Sequence, residues 1–183
     1  GCIAIADALK EDAVSSVQEI KALGVTPVML TGDNPESAEK VAEKAGISKV
    51  YAGLLPQDKL SIMKEIREKE GSVLFVGDGI NDAPVLAGAD AGAAMGSGAD
   101  AAIEAADLVF LNSDVRAVPQ AIRLCRKVLS TAWQNVAFAL FVKIAVMIMG
   151  LLGYANMWVA VFADTGVTLL CILYSVRLLR MKM

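Results

Sequence analysis

The run Gly77-Asp78-Gly79-Ile80-Asn81-Asp82-Ala83-Pro84 places two carboxylates four positions apart on a glycine-flanked turn. It follows the apolar stretch Val73-Leu74-Phe75-Val76 without a gap. A hard cation such as Mg²⁺ takes oxygen ligands, and glycines let the backbone come close to a phosphoryl group, so such a turn can hold both. A second turn, Thr31-Gly32-Asp33, follows the apolar stretch Thr26–Leu30. Phosphoryl transfer at such a place needs a nucleophile, and the residues upstream offer no convincing one. The chain is therefore expected to be the C-terminal part of a larger machine, with Gly1 a cut or truncated end.

Regular elements must position these turns. Strand-like runs at Cys2–Ala6, Thr26–Leu30, Lys49–Ala52, Ser72–Val76, Ala91–Met95 and Leu108–Leu111 alternate with helix-like segments at Glu11–Leu23, Pro35–Ala45, Pro56–Lys69 and Ala99–Ala105. Asn34 can cap a helix that has Pro35 at its first position and Gly46 at its end. Pro56 opens the next helix and Gly71 follows it. Strand–helix alternation predicts an α/β domain, a parallel sheet with helices on both faces. Ligands of such sheets sit at the carboxyl ends of strands, so both turns are expected on one edge of the sheet.

The 183 residues are 56 % hydrophobic with a mean hydropathy of +0.55, high for a soluble domain, and the excess lies beyond about Ser130. No histidine is present, which excludes a histidine-based metal site or general base in this chain. A net charge of −3 without a Lys/Arg-rich arm gives no sign of a nucleic-acid partner. Cys2, Cys125 and Cys171 are far apart and form no CxxC pair, so no disulfide framework is expected and a reducing, cytosol-facing compartment fits better. Gly1 opens a strand-like run with no basic leader, so no signal peptide is read there.

Asp114 begins a basic helical segment with Arg116, Arg123, Arg126 and Lys127. Two apolar spans follow, at about Ala132–Leu152 and Met157–Val176. Each has ~20 residues, enough to cross a hydrocarbon core of ~30 Å. Gly153-Tyr154-Ala155-Asn156 is a short uncharged link, and Arg177, Arg180 and Lys182 follow the second span. Basic residues at both outer ends predict a multi-pass membrane protein in the lipid bilayer with both ends in the cytosol. Trp158 near the link suits an interfacial position. The competing reading, a buried hairpin of a large soluble protein, is disfavoured by the length of the spans. The expected organisation is a cytosolic domain over 1–115, a linker helix over 116–131, a transmembrane hairpin over 132–179 and a cytosolic tail over 180–183.

Lys143 sits near the middle of the first span and Asp164 about a third into the second. A charge at such depth costs at least ~2.5–3.5 kcal/mol, so it usually faces a protein interior and carries function. In an antiparallel hairpin the two lie at similar depth and can pair when no ion is bound. Asp164 is then a candidate cation ligand with Lys143 as its counter-charge; a purely structural charge pair is the alternative. Thr168 and Cys171 share a helix face with Asp164. Cys171, Met147 and Met149 read as packing residues.

Thr31-Gly32-Asp33-Asn34, Pro56-Gln57-Asp58-Lys59 and the Gly77–Pro84 run, in this order and spacing, resemble the phosphorylation domain of P-type ATPases, a branch of the haloacid-dehalogenase-like fold. Met95-Gly96-Ser97-Gly98-Ala99-Asp100, followed by Ala106-Asp107-Leu108-Val109, is similar to the same family. So is Asp7 within Ile5–Lys10, at the hinge to a nucleotide domain. Two spans after this domain resemble the heavy-metal subgroup, and Lys143 with Ala163-Asp164-Thr165-Gly166 resembles its zinc/cadmium/lead branch.

The resemblance implies an ATP-driven pump that uses Mg²⁺ and ATP and carries Zn²⁺, Cd²⁺ or Pb²⁺. It implies that Asp78 and Asp82 hold Mg²⁺, with Asn81 and Asp82 fixing the geometry around metal and phosphate. Thr31 and the backbone at Gly32, in the turn completed by Asp33, would bond phosphoryl oxygens, and Lys59 would neutralise charge on the transferring group. Asp7 joins this set on the nucleotide side, and Asp164 is the implied ligand of the transported metal. The segment bearing the phosphorylated aspartate, the nucleotide and actuator domains and the earlier spans are missing from these 183 residues and would be the chain's partners. The fragment alone is therefore expected to be inactive. Two other readings stand beside this one: a membrane-tethered phosphatase of the same fold, and a non-catalytic, partner-binding fragment.

Overall fold

The computed structural model describes residues 12–78, 80–96, 100–112, 114–154 and 156–180. The expected strand Cys2–Ala6, Asp7, Gly79, Ser97-Gly98-Ala99, Ala155 and Lys182 lie outside them. The chain divides into two compact units, Gly1–Pro119 and Gln120–Met183.

In the first unit the order is α1 (Ala13–Ala22), β1 (Val28–Leu30), α2 (Pro35–Ala45), β2 (Lys49–Tyr51), α3 (Pro56–Glu70), β3 (Leu74–Gly77), a 3-10 turn (Ile80–Asp82), α4 (Ala83–Gly88), β4 (Ala91–Met95), α5 (Asp100–Ala105) and β5 (Leu108–Phe110). The starts and stops follow local chemistry. The Asn34 side chain accepts from the Glu36 N–H at 2.9 Å and caps α2, with Pro35 at its first position. Gly46 ends that helix at φ 77°, a conformation that glycine adopts without steric cost. Asp58 accepts from the Leu55 N–H at 3.0 Å and closes the start of α3. Ala38, Ala42 and Ala45, spaced for one helical face, are the buried side of α2.

All strand pairing among the described residues is parallel. β1 pairs β2 with Val28 opposite Lys49; β3 pairs β4 with Leu74 opposite Ala91; β4 pairs β5 with Ala93 opposite Leu108. The α/β class is as expected, but the single continuous sheet is not found among the described residues. It forms two pieces, β1-β2 and β3-β4-β5. The reason is a pairing one: no described strand ladders onto the second edge of β1 or of β3. The core of the larger piece is Leu86, Ala94 and Ala102, with Phe75 and Ile103 packed against it.

The second unit holds most of α6 (Ala117–Leu151), then α7 (Met157–Val161), a π-helical turn (Phe162–Gly166), α8 (Val167–Val176) and a 3-10 turn (Arg177–Arg180). Ala117–Leu151 and Met157–Val176 are long and apolar enough to cross a membrane, by length and composition. α6 runs unbroken through the expected linker and first span. Along its inner side Thr131 is buried and Asn135, Ala139 and Val142 are half-buried; across from them Ala163 and Val167 are buried and Cys171 and Ser175 half-buried. The four-residue spacing of small side chains lets the two backbones approach.

One expectation changes here. A regular helix would align Asp164, Thr168 and Cys171 on one face, but the π turn interrupts the 3.6-residue period at Asp164, with the Val167 N–H bonded to the Phe162 carbonyl. The Thr168 hydroxyl donates to the Asp164 carbonyl at 2.7 Å, whereas the Cys171 thiol is directed at the Asn135 carbonyl at 3.8 Å.

Candidate functional site

Thr31 leaves the carboxyl end of β1, where its N–H bonds the Tyr51 carbonyl at 2.9 Å and extends the ladder by one step. Its hydroxyl donates to Asp33 Oδ2 at 2.7 Å and accepts from the Asp33 N–H at 3.1 Å. The turn is thus closed on itself. The backbone on either side of Gly32 is clamped to the next loop: Gly53 N–H bonds the Asp33 carbonyl at 2.8 Å and Leu54 N–H the Thr31 carbonyl at 3.1 Å.

Asp78 follows β3 directly and is exposed, without a hydrogen bond or ion pair among the described residues. Asn81 is exposed as well. Asp82 ends the 3-10 turn and turns inward, where its Oδ1 meets Lys59 Nζ at 2.7 Å. The two side chains are only 12 % and 16 % exposed. Lys59 reaches this place from the first turn of α3, and Val85 and Leu86, fully buried, anchor α4 just beyond. Gly77 makes the fold-back possible: a Cβ there would stand 3.0 Å from Asp82 Cβ and Oδ2 and from the Phe75 ring.

The structure therefore brings Lys59 and Asp82 together and gives Thr31 and Asp33 to each other. Neither member of the Thr31–Asp33 turn bonds the Lys59–Asp82 pair. The Lys59–Asp82 contact was not legible in the motif spacing, which assigned the two residues separate tasks.

The donors fit Mg²⁺. All are oxygens: the exposed Asp78 carboxylate, the Asn81 amide and the Asp82 oxygen not taken by Lys59. No group of three or more His, Cys, Asp or Glu stands ready for a metal among the described residues. Mg²⁺ is usually held by one or two carboxylates, with water and phosphate oxygens completing its shell.

In the second unit Lys143 Nζ and Asp164 Oδ1 are 3.1 Å apart. Their side chains are 58 % and 76 % exposed, on the flank of the hairpin rather than between its helices. A polar contact that motif reading missed lies elsewhere on the hairpin, at Asn135, whose amide donates to Ser175 Oγ at 2.8 Å. An amide amid apolar residues was the available signal.

A haloacid dehalogenase-like hydrolase model matches residues 1–90, and a second model of the same description matches residues 59–122. The cadmium, zinc and cobalt-transporting ATPase of Bacillus subtilis (strain 168) is 47 % identical, over 100 % of this chain and 27 % of its own length. The zinc-transporting ATPase of Synechocystis sp. is 45 % identical, over 97 % of this chain and 25 % of its own length. The crystal structure of a zinc-transporting PIB-type ATPase in the E2.Pi state superposes with a TM-score of 0.91 at 42 % identity, covering 96 % of this chain and 29 % of that one. The chain thus spans about a quarter of the length of these curated relatives. Because the matches run through both units, the chain is homologous along its whole length to part of the cadmium- and zinc-transporting P-type ATPases, and its first unit has their haloacid dehalogenase-like fold.

Proposed function

We propose that this chain is part of an ATP-driven efflux pump for heavy-metal cations of the zinc, cadmium and lead class. The observation that carries the reading is the Lys143–Asp164 ion pair on two apolar helices, in a chain whose whole-length relatives are named for cadmium and zinc transport. Charges at such depth are costly, and a task in ion passage accounts for their presence. Asp164 is the ligand of the moving cation and Lys143 its counter-charge when the cation has left.

The chemistry that drives the pump belongs to the first unit. Bound Mg²⁺ would supply charge neutralisation at the phosphoryl oxygens, held by Asp78 and Asp82 with Asn81 beside them. The Gly32 N–H would donate to a phosphoryl oxygen, and Thr31 would do so by turning its hydroxyl away from Asp33 Oδ2, where it now donates. Lys59 holds Asp82 in place, and its ammonium has further donors for the transferring group. The phosphorylated aspartate lies on a strand that these 183 residues do not include. We place that strand between β1 and β3: both have an edge with no ladder among the described residues, and both candidate turns leave their carboxyl ends. ATP is held mainly by a nucleotide domain that joins near Asp7.

The membrane part is a hairpin within 132–179, following a linker helix at 116–131, with both ends cytosolic. The 35 residues of α6 exceed a bilayer core, which leaves its basic start, with Arg123, Arg126 and Lys127, for the cytosolic interface. A membrane-tethered phosphatase is the second reading, favoured by the hydrolase description of both family models.

The test is made with the complete pump in proteoliposomes beside the 183-residue chain. Zn²⁺ should stimulate ATP hydrolysis and a ³²P-phosphoenzyme in the complete pump, and the chain alone should form none. A phosphoenzyme on the chain alone would refute this placement of the nucleophile; phosphatase activity indifferent to heavy metal would favour the second reading.

A further inference from the structure

The hairpin of the second unit is tied at two levels of different chemistry. One tie is the Lys143–Asp164 pair at 3.1 Å. The other lies about two helical turns nearer the start of α6. There Asn135 Nδ2 donates to Ser175 Oγ at 2.8 Å and stands 3.4 Å from the Cys171 carbonyl. Ser175 Oγ donates to that carbonyl at 2.9 Å, and the Cys171 thiol is directed back to the Asn135 carbonyl at 3.8 Å. Beside them the Tyr174 hydroxyl donates to Gln134 Oε1 at 2.8 Å. Asn135, Cys171 and Ser175 are half-buried, while the residues flanking them in sequence are exposed.

The two ties answer differently to a cation. A carboxylate that takes a metal no longer needs its lysine, so the ion pair opens when Asp164 is occupied. The ladder contains no carboxylate and no ammonium, and nothing in it changes charge during that exchange. Small residues at Thr131 and Ala139 on one helix and Ala163 and Val167 on the other keep the backbones close along the same seam.

Resting on the pump reading, we propose that Asn135 is a positioning residue: with Ser175 it keeps α8 in register on α6 while the Lys143–Asp164 pair opens, so that the carboxylate releases and recaptures its cation at a fixed place. Loss of the ladder then weakens metal capture without touching phosphate chemistry in the first unit.

The experiment uses the complete pump in proteoliposomes with Zn²⁺ as the probe. Asn135→Leu and Ser175→Ala should each raise the Zn²⁺ concentration for half-maximal ATPase roughly three- to tenfold, the range expected for one or two interhelical hydrogen bonds. The maximal rate and phosphorylation from inorganic phosphate should stay within about twofold. Ser175→Thr keeps the hydroxyl and should behave as the parent. With Cys2 and Cys125 replaced by serine, Asn135→Cys should form a bridge to Cys171 on oxidation, and the bridged pump should keep turning over. Unchanged Zn²⁺ dependence in both Asn135→Leu and Ser175→Ala would overturn the proposal, as would turnover that stops on bridging and returns on reduction. Full Zn²⁺-stimulated activity in Asp164→Ala would instead overturn the pump reading itself, so the two failures are distinguishable.

Discussion

Each unit contains one lysine–aspartate pair in its candidate site, and the two pairs differ in what surrounds them. Lys59 and Asp82 meet at 2.7 Å, shielded by the packing of their own unit. Lys143 and Asp164 meet at 3.1 Å on the exposed flank of an apolar hairpin. The first pair is largely buried beside the close turn at Gly77, as a part of the scaffold is. The second can change partner with only a side-chain movement. On the proposed reading the first pair holds a phosphoryl site in place and the second lets a cation through, tasks that call for these opposite surroundings.

The comparison can be broken in several ways. The largest expected effect belongs to Asp78, which has no partner among the described residues and is free to hold an ion. Asp78→Asn in the complete pump should lower the phosphoenzyme level by about a hundredfold or more, while Zn²⁺ binding persists. A loss of Zn²⁺ binding with phosphorylation intact would reverse the division of labour. Next comes Lys59→Ala, which strands a buried carboxylate and should cost about 3–5 kcal/mol in denaturant unfolding of the chain in detergent. Replacing both partners, Lys59→Met with Asp82→Leu, should recover most of that stability and none of the activity. The smallest effect is that of Lys143→Ala on stability in detergent, about 1–2 kcal/mol, because its pair lies on the flank of the hairpin and not within its packing. Equal costs for Lys59→Ala and Lys143→Ala would erase the distinction between a fixed pair and an exchangeable one.

Much of the fold was legible because its punctuation is chemical. Asn34, Pro35 and Gly46 bound α2, and Ala91–Met95 is a strand at the expected residues. α4 was not read, since six residues carry no periodic signal and Pro84 looks like a stop until it is seen in a first helical turn. The strands were visible but not their neighbours: pairing is a long-range property, and among the described residues it gives two pieces. On the hairpin, spacing put Lys143 and Asp164 at one depth, and they do meet. The π turn at Asp164 left no trace in hydropathy, because one extra residue per turn changes register without changing composition. Asn135 and Ser175 pair across 40 positions, a contact that only the packed helices bring together.

The most direct test of the central claim, that Asp164 holds the cation whose passage the phosphate chemistry of the first unit drives, is one rate compared across two proteins. Zn²⁺-stimulated ATP hydrolysis should be measured in the complete pump and in its Asp164→Ala variant, with phosphorylation from inorganic phosphate followed in both. The account predicts that the variant still accepts phosphate but loses stimulation by Zn²⁺. Stimulation that survives the substitution in full would contradict it.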